Sequence, residues 1–300
     1  MAEVQQSDVS LRHLRERLRL GLACAAARLA IEEVPSRPVE AMGLRFDAPL
    51  GIAAGFDRHG RLGRRAGSLG FGFIEVGSLH PAELSGLRHS TGKARLGINL
   101  ALTPGIPEAV FHEALAQLWP QADYLMLNLI HPACAPLLEP GARPLLTRRL
   151  ASLRERQHRL DRLGGRKVPL AAKLRCLPGD LPLDLAALLR DLGFDALLAA
   201  HDPGPPATAQ RYLHWQDPAV QAQACTQIER LRSLCGSRMA LLSVGGIQTA
   251  AHLNDRLDAG ADLVQVYGAL KEQGPGVVER MLGLGPAEGP GSNESAGRSP

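Results

Sequence analysis

A chain of 300 residues that is 45% hydrophobic and 21% charged can bury one large core or two smaller ones. Its formal charge of +4 is too slight for a nucleic-acid stripe, and 4% aromatics leave no base-stacking platform. Cys24, Cys134, Cys176, Cys225 and Cys235 lie far apart without a CxxC pair, which excludes a zinc ribbon or disulfide framework and suits a reducing, cytoplasmic setting.

In chain order, residues 1–34 read as an N-terminal amphipathic helix over Val9 to Val34. Leu11, Leu14, Leu18, Leu22 and Ala26 share one face, with Arg12, Arg15, Arg17 and Arg19 elsewhere. The apolar segment Gly21 to Ile31 is short and carries Arg28, so it is neither a targeting peptide nor a bilayer span. Such a helix either packs onto its own domain, the commoner use, or lies peripherally on an anionic membrane such as the inner face of the cell membrane.

Residues 35–285 form the main domain. Short apolar runs are predicted as strands at Pro49 to Gly55, Phe73 to Gly77, Leu96 to Leu100, Tyr124 to Ile130, Pro169 to Leu174, Ala196 to Ala200, near Met239 to Val244, and at Leu263 to Gly268. Helix-length segments separate most of them: Arg61 to Leu69, Pro107 to Trp119, Pro144 to Leu163, Pro182 to Leu192, Pro218 to Leu234, Gln248 to Leu257 and Gly274 to Leu284. Eight strands alternating with helices predict an α/β fold, a (β/α)8 TIM barrel, and no GxGxxG follows the first strand to favour a dinucleotide fold. Residues 286–300, rich in Gly, Pro and Ser, read as a disordered tail.

The last two strands each end in glycine, at Gly245-Gly246 and at Gly268 after Tyr267. Glycine at a strand end lets backbone N–H groups approach an anion, so the pair could cradle a phosphate; a plain tight turn is the other reading. In a barrel, Ser78, Asn99, Asn128 and Lys173 share one mouth, with His59, His80, His131 and His201 just beyond. A lysine inside an apolar strand is costly to bury without an anionic partner, which makes Lys173 the strongest functional candidate.

Several motifs now fall in one order: Pro49-Leu50-Gly51-Ile52-Ala53-Ala54-Gly55-Phe56-Asp57, Gly70 to Ser78, Leu96-Gly97-Ile98-Asn99, the Asn128 strand, Lys173, Val244-Gly245-Gly246-Ile247, and Leu263-Val264-Gln265-Val266-Tyr267. Together they resemble dihydroorotate dehydrogenases of the membrane-associated, quinone-using class over roughly residues 34 to 282. The resemblance implies a flavoprotein oxidoreductase related to pyrimidine biosynthesis, with FMN in the barrel. Ala54, Gly55 and Ser78 would line the flavin, Asn99 and Asn128 would hydrogen-bond it, and Lys173 would stabilise its reduced form. Gly245, Gly246, Tyr267 and Gly268 would take the phosphate.

The substrate half departs from that pattern. Where the family carries Asn-x-Ser-Ser/Cys-Pro-Asn, this chain reads Asn128-Leu129-Ile130-His131-Pro132-Ala133, so His131 stands at the base position. Arg58 replaces a substrate-contacting lysine, Ala200-His201-Asp202-Pro203 replaces a Thr-Asn-Thr-Thr run, and the asparagine-rich loop after Ser78 is shortened. The expectation is an FMN-dependent oxidoreductase acting on CH–CH groups of a small-molecule substrate altered from dihydroorotate. His131 and Lys173 are the expected catalytic residues, and Arg58 and His201 the expected substrate contacts. The electron acceptor, a quinone among the candidates, and the oligomeric state stay open. A non-catalytic FMN-binding paralogue or interaction protein is the alternative. A metal-assisted hydrolase built on the strand-end histidines with Asp57 and Asp202 is a third reading, and no HxH or HExxH spacing supports it.

Overall fold

The computed structural model describes residues 2–30, 36–202 and 208–283, without the side chains of 2–13. Helix α1 (Ala2–Leu29) precedes an antiparallel ribbon of β1 (Val39–Ala41) and β2 (Leu44–Phe46). Next come β3 (Leu50–Asp57), β4 (Phe73–Leu79), β5 (Arg95–Ala101), α2 (Glu108–Leu118), β6 (Tyr124–Asn128), α3 (Ala135–Leu138), α4 (Arg143–Gly164) and β7 (Leu170–Arg175). The chain continues through α5 (Leu183–Asp191), β8 (Ala196–Ala200), α6 (Ala209–His214), α7 (Pro218–Cys235), β9 (Ala240–Val244), α8 (Ala250–Asp258), β10 (Leu263–Val266), α9 (Gly268–Gln273) and α10 (Val277–Leu282). Strands β3 to β10 run parallel and close on themselves, with β10 paired to both β9 and β3. This is the (β/α)8 barrel that the sequence predicts.

Parallel strands sandwiched between a core and a helix layer are buried on both faces, which explains their nearly unbroken apolar runs. Ile74, Leu96, Ile98, Leu125, Leu197, Leu241 and Val264 face the helices. Phe73, Tyr124, Ala171, Leu198, Leu242 and Leu263 fill the barrel, and Phe46 from the ribbon plugs its N-terminal end against Phe73, ring centroids 5.5 Å apart. The large inward ring of Tyr124 demands a gap on the next strand. A Cβ on Gly97 would stand 2.3 Å from its ring, so that position admits only glycine.

Several boundaries move for local reasons. The segment expected as a helix at Arg61 to Leu69 is a 3-10 helix, Gly63–Leu69, whose glycines weaken an α-helix. Strand β6 stops at Asn128 because the Asn128 side chain accepts a hydrogen bond from Ile130 N (3.1 Å) and turns the chain. Gly268 opens α9 rather than closing β10.

Helix α1 also binds its domain by a face other than the leucine stripe. Ala23, Cys24 and Ala27 are buried against the Gly63–Leu69 segment and β3, where small side chains allow a close approach. Leu14, Leu18 and Leu22 stay 53%, 58% and 64% exposed, so the described residues leave this stripe uncovered. The boundary near residue 34 and the tail expected at 286–300 lie outside the described residues. No helix among the described residues is long and apolar enough to cross a membrane.

Asp57, fully buried at the end of β3, accepts from Arg61 N (2.8 Å), Leu62 N (2.8 Å) and Gly63 N (2.9 Å). It therefore caps the 3-10 segment and holds the first loop of the mouth. Asp57→Ala strands these donors and is expected to cost roughly 2–4 kcal/mol in urea denaturation. A midpoint unchanged from wild type would show that the cap is dispensable.

Candidate active site

Inward-pointing polar side chains from five strands meet near the C-terminal end of the barrel. Glu75 (β4), Asn99 (β5), Asn128 (β6), Lys173 (β7) and Gln265 (β10) all stand on the inner face, each two residues after an inward position: Phe73, Gly97, Met126, Ala171 and Leu263. Asn128 pairs in register with Lys173 across β6 and β7. Ser78 Oγ donates to Asn99 Oδ1 (2.6 Å) and accepts from Asn128 Nδ2 (2.6 Å). Ser78, Asn99, Asn128 and Lys173 are thus brought to one wall, as expected.

Three partners escaped the sequence reading. The fully buried Glu75 carboxylate accepts from Gln265 Nε2 (2.6 Å), Tyr124 Oη (3.1 Å) and Asn99 Nδ2 (3.2 Å). Burial raises its pKa, against the pull of Lys173 and these hydrogen bonds. Burial lowers the pKa of Lys173, opposed by the charges of Glu75 and Asp202. Among the described residues no acceptor or counter-ion contacts the Lys173 ammonium directly. The clue to Glu75 and Gln265 was the one used for Lys173: a polar residue set in an apolar strand.

The glycine loops lie beside this wall. Gly245 and Gly246 have φ of +116° and +76°, the left-handed region that favours glycine. A Cβ on Gly246 would sit 2.0 Å from Cε3 of Trp215, so the ring of Trp215 is packed directly on the glycine. Among the described residues no backbone carbonyl accepts from the N–H groups of Gly246, Ile247 or Gly268. Tyr267 and Gly268 are partly exposed there, and Gly55 faces Tyr267 across 3.7 Å from its own would-be Cβ. Ala54 and Gly55 are also open to the mouth.

These features fit FMN. A lysine without a protein partner offers a cation to an electron-rich ring, and unpaired N–H groups on two convergent glycine turns offer donors to a phosphate. Lys173, Asn99, Asn128, Ser78, Ala54 and Gly55 would hold the ring end, and Gly245, Gly246, Tyr267 and Gly268 the phosphate end.

His131 caps the 3-10 turn Pro132–Cys134 and accepts from Ala133 N through Nδ1 (3.2 Å). A neutral imidazole accepts at one nitrogen only, so Nε2 carries the proton and is a donor. Its ring meets His80 edge-on, centroids 4.9 Å apart, and His80 Nδ1 lies 3.3 Å from Thr103 Oγ1. Burial, then His80 and Arg58, lowers the His131 pKa and keeps the ring neutral near pH 7. Arg58 is exposed and contacts both carboxylate oxygens of Glu83 through Nη2, each at 2.8 Å.

His201 does not reach the mouth. It is 2% exposed and turned into the helix layer, with Nδ1 2.7 Å from Gln227 Oε1 on α7. The expected substrate contact is corrected here: one residue beyond β8, the side chain has passed to the outer face. Asp57 and Asp202, the acids of the hydrolase reading, are engaged elsewhere. Asp57 caps backbone, and Asp202 accepts from Trp215 Nε1 (3.1 Å) and pairs with Arg211 (3.1 Å).

A closed parallel barrel with a lysine-bearing polar mouth and glycine turns after its last two strands is the frame of a phosphate-bearing-ligand TIM-barrel protein. A profile described as dihydroorotate dehydrogenase matches residues 216–283. The chain is 32% identical to a dihydroorotate dehydrogenase (quinone) of Chromobacterium violaceum, over 83% of this chain and 85% of the relative. It is 30% identical to one of Cellvibrio japonicus, over 88% of each. A crystal structure of Eimeria tenella DHODH in complex with ferulenol superposes with a TM-score of 0.67 at 20% identity, covering 90% of this chain and 89% of that one, a likeness of fold. The chain belongs to the dihydroorotate dehydrogenase family.

Burial of His201 makes a pH prediction. Desolvation, reinforced by Arg256, pushes its pKa down to about 3 from the ordinary 6.5. Above pH 6.5 the ring is neutral folded or unfolded and adds nothing. As pH falls toward 3, the unfolded chain takes up a proton that the folded ring refuses, and stability drops by about 1.4 kcal/mol per unit. His201→Gln is expected to flatten the stability profile between about pH 6 and 4; an unchanged slope would remove His201 as its source.

Proposed function

We propose that this protein is an FMN-dependent oxidoreductase acting on CH–CH groups, with a substrate altered from dihydroorotate. The Lys173 ammonium carries the reading: it enters the mouth from β7 without a direct protein partner, beside the Ser78–Asn99–Asn128 wall and the glycine turns. FMN, when bound, supplies a ring that takes up hydride from a substrate carbon and passes the electrons on. Lys173 offers positive charge where negative charge grows during that transfer. The wall orients the ring, and the Gly245-Gly246 and Gly268 N–H groups anchor the phosphate.

The curated relatives are named for dihydroorotate and quinone. Three observations support a changed substrate. His131 Nδ1 is committed to Ala133 N, Arg58 is neutralised by Glu83, and His201 is buried behind the barrel. A pocket built on hydrogen bonds discriminates against ligands that leave its partners unpaired, by orders of magnitude. His131 then acts as a donor from Nε2, holding a carbonyl or acidic oxygen of the substrate, while Ala133 opens space beside it. The committed Nδ1 equally favours the second reading, a flavin-binding relative without turnover.

The deciding test is the absorption spectrum of the protein reconstituted with FMN, without oxygen, before and after addition of dihydroorotate. An oxidised flavin spectrum that persists supports the altered substrate; bleaching would restore the relatives' reaction, and failure to bind FMN would sink the assignment. Once a reducing substrate is found, His131→Gln separates the roles of the imidazole, since an amide can still cap and donate. Flavin reduction within about tenfold of wild type marks a donor, whereas a fall of about 100- to 10,000-fold would mark a general base.

The open face of α1 supports peripheral membrane contact and a quinone as acceptor. Leu14, Leu18 and Leu22 are exposed beside Arg15 and Arg17, and the helix is tied near the mouth by Arg19–Glu272 (3.5 Å). Full-length protein is expected to sediment with anionic phosphatidylglycerol vesicles, and a variant with Ser at positions 14, 18 and 22 to stay in solution. Equal partition of the two would detach the stripe from any membrane role.

A further inference from the structure

The buried carboxylate of Glu75 divides its acceptors between two sides. Oε1 takes the Tyr124 hydroxyl (3.1 Å) and Gln265 Nε2 (2.6 Å), and Oε2 takes Asn99 Nδ2 (3.2 Å). Asn99 Nδ2 donates to Glu75 Oε2, so Asn99 turns its nitrogen toward Glu75 and its oxygen toward Ser78. Ser78 Oγ, 2.6 Å from Asn99 Oδ1, must then donate its hydrogen to it. From the other end, the backbone N–H of Ile130 only donates, so it holds Asn128 Oδ1 (3.1 Å) and turns Nδ2 toward Ser78 Oγ (2.6 Å). Both ends of the chain of hydrogen bonds are fixed, and the half-exposed Ser78 hydroxyl keeps only acceptor capacity for the mouth.

We propose that Glu75 is a positioning residue that, through Asn99, fixes Ser78 as a hydrogen-bond acceptor for the group bound in the mouth, selecting a ligand edge that donates there, such as a ring N–H. The ligand-facing part rests on the reading of the mouth as a flavin site. A neutral amide at position 75 reverses the order. Tyr124 and Gln265 still hold the amide oxygen, so its nitrogen donates to Asn99, which flips to accept and turns its own nitrogen to Ser78. Ser78 then releases its hydrogen to the mouth.

Replacing Glu75 also removes a charge facing Lys173 from β7, with Tyr124 the other titratable neighbour. A cycle with Ser78→Ala separates the two effects, because a loss of charge acts with or without the hydroxyl and a reversal of polarity needs it. The experiment uses the full chain labelled with 15N-asparagine and records side-chain amide signals for wild type, Glu75→Gln, Ser78→Ala and the double variant. Expected is that Glu75→Gln shifts the signals of both Asn99 and Asn128, and only those of Asn99 once Ser78 is absent. Asn128 signals that stay in place with Ser78 present, or move equally without it, overturn the proposal.

Should Glu75→Gln not fold, Asn99→Leu cuts the same link, and unmoved Asn128 signals in that variant overturn the proposal equally. FMN affinity, read by quenching of flavin fluorescence, is expected to change on Glu75→Gln by roughly three- to tenfold more with Ser78 present, the worth of one hydrogen bond, than in the Ser78→Ala background, where only the charge lost beside Lys173 acts. A change of equal size with and without Ser78 overturns the ligand-facing role. Amide coupling in a wild-type protein that binds no FMN sinks the flavin reading alone and upholds the fixed polarity of Ser78.

Discussion

Closing β10 onto β3 removes every edge from the sheet, and with it any free backbone partner for a side chain pointing inward. A polar group inside such a barrel must be satisfied by the other strands or reach the open end. The interior follows that rule at Glu75, while Gln265 Oε1 is buried without a hydrogen-bond partner. Its lower part is filled by Phe46, Phe73 and Leu263; above them the carboxylate of Glu75 gathers donors from β5, β6 and β10. Among the described residues, Ser78, Lys173 and the glycine turns are left to meet something from outside. The chemistry of the mouth is therefore what remains after the strands have satisfied one another.

That constraint separates the two halves of the site. Groups assigned to the flavin sit on strands or on turns held by strand ends, where a change would disturb the barrel itself. Groups assigned to substrate sit on loops, where the penalty for change is local. Arg58 has an ion pair with Glu83 in the loop after β4, and His131 a capping bond with Ala133 N, so each side chain is stabilised among the loops themselves. A substrate site can drift by such steps while the frame holding the cofactor end stays intact.

Much of the fold was legible because parallel strands buried on both faces leave continuous apolar runs, such as Ala196 to Ala200. The mouth residues on strands were legible for a related reason: strand parity carries Lys173 inward from Ala171. The same parity carries His201 outward, one residue after the inward Ala200, and there it meets Gln227. Glu75 and Gln265 met the criterion that exposed Lys173 but stood lower in the barrel, where they serve other side chains. In α1 the leucine stripe suggested the packing face, yet small side chains won. Ala23, Cys24 and Ala27 let the helix axis come close to the domain, which bulky leucines could not.

The donor count of the mouth carries the synthesis one step further. Lys173 only donates, and His131 with its Nδ1 capped also donates. Arg58, already met by two carboxylate oxygens, adds little net charge, so the substrate loop presents hydrogen-bond donors more than a strong cation. Such a surface suits carbonyl oxygens better than it suits a C–H bond awaiting a base. A proton leaving the substrate would need another acceptor: water, the substrate's own functional group, or His131 after surrendering its cap to Ala133. The last route trades a backbone hydrogen bond for basicity, and burial between His80 and Arg58 already disfavours the cation that would result. The geometry thus sets hydride-transfer chemistry with little built-in proton abstraction against a binding site without turnover, and the difference between them rests on what accepts that proton.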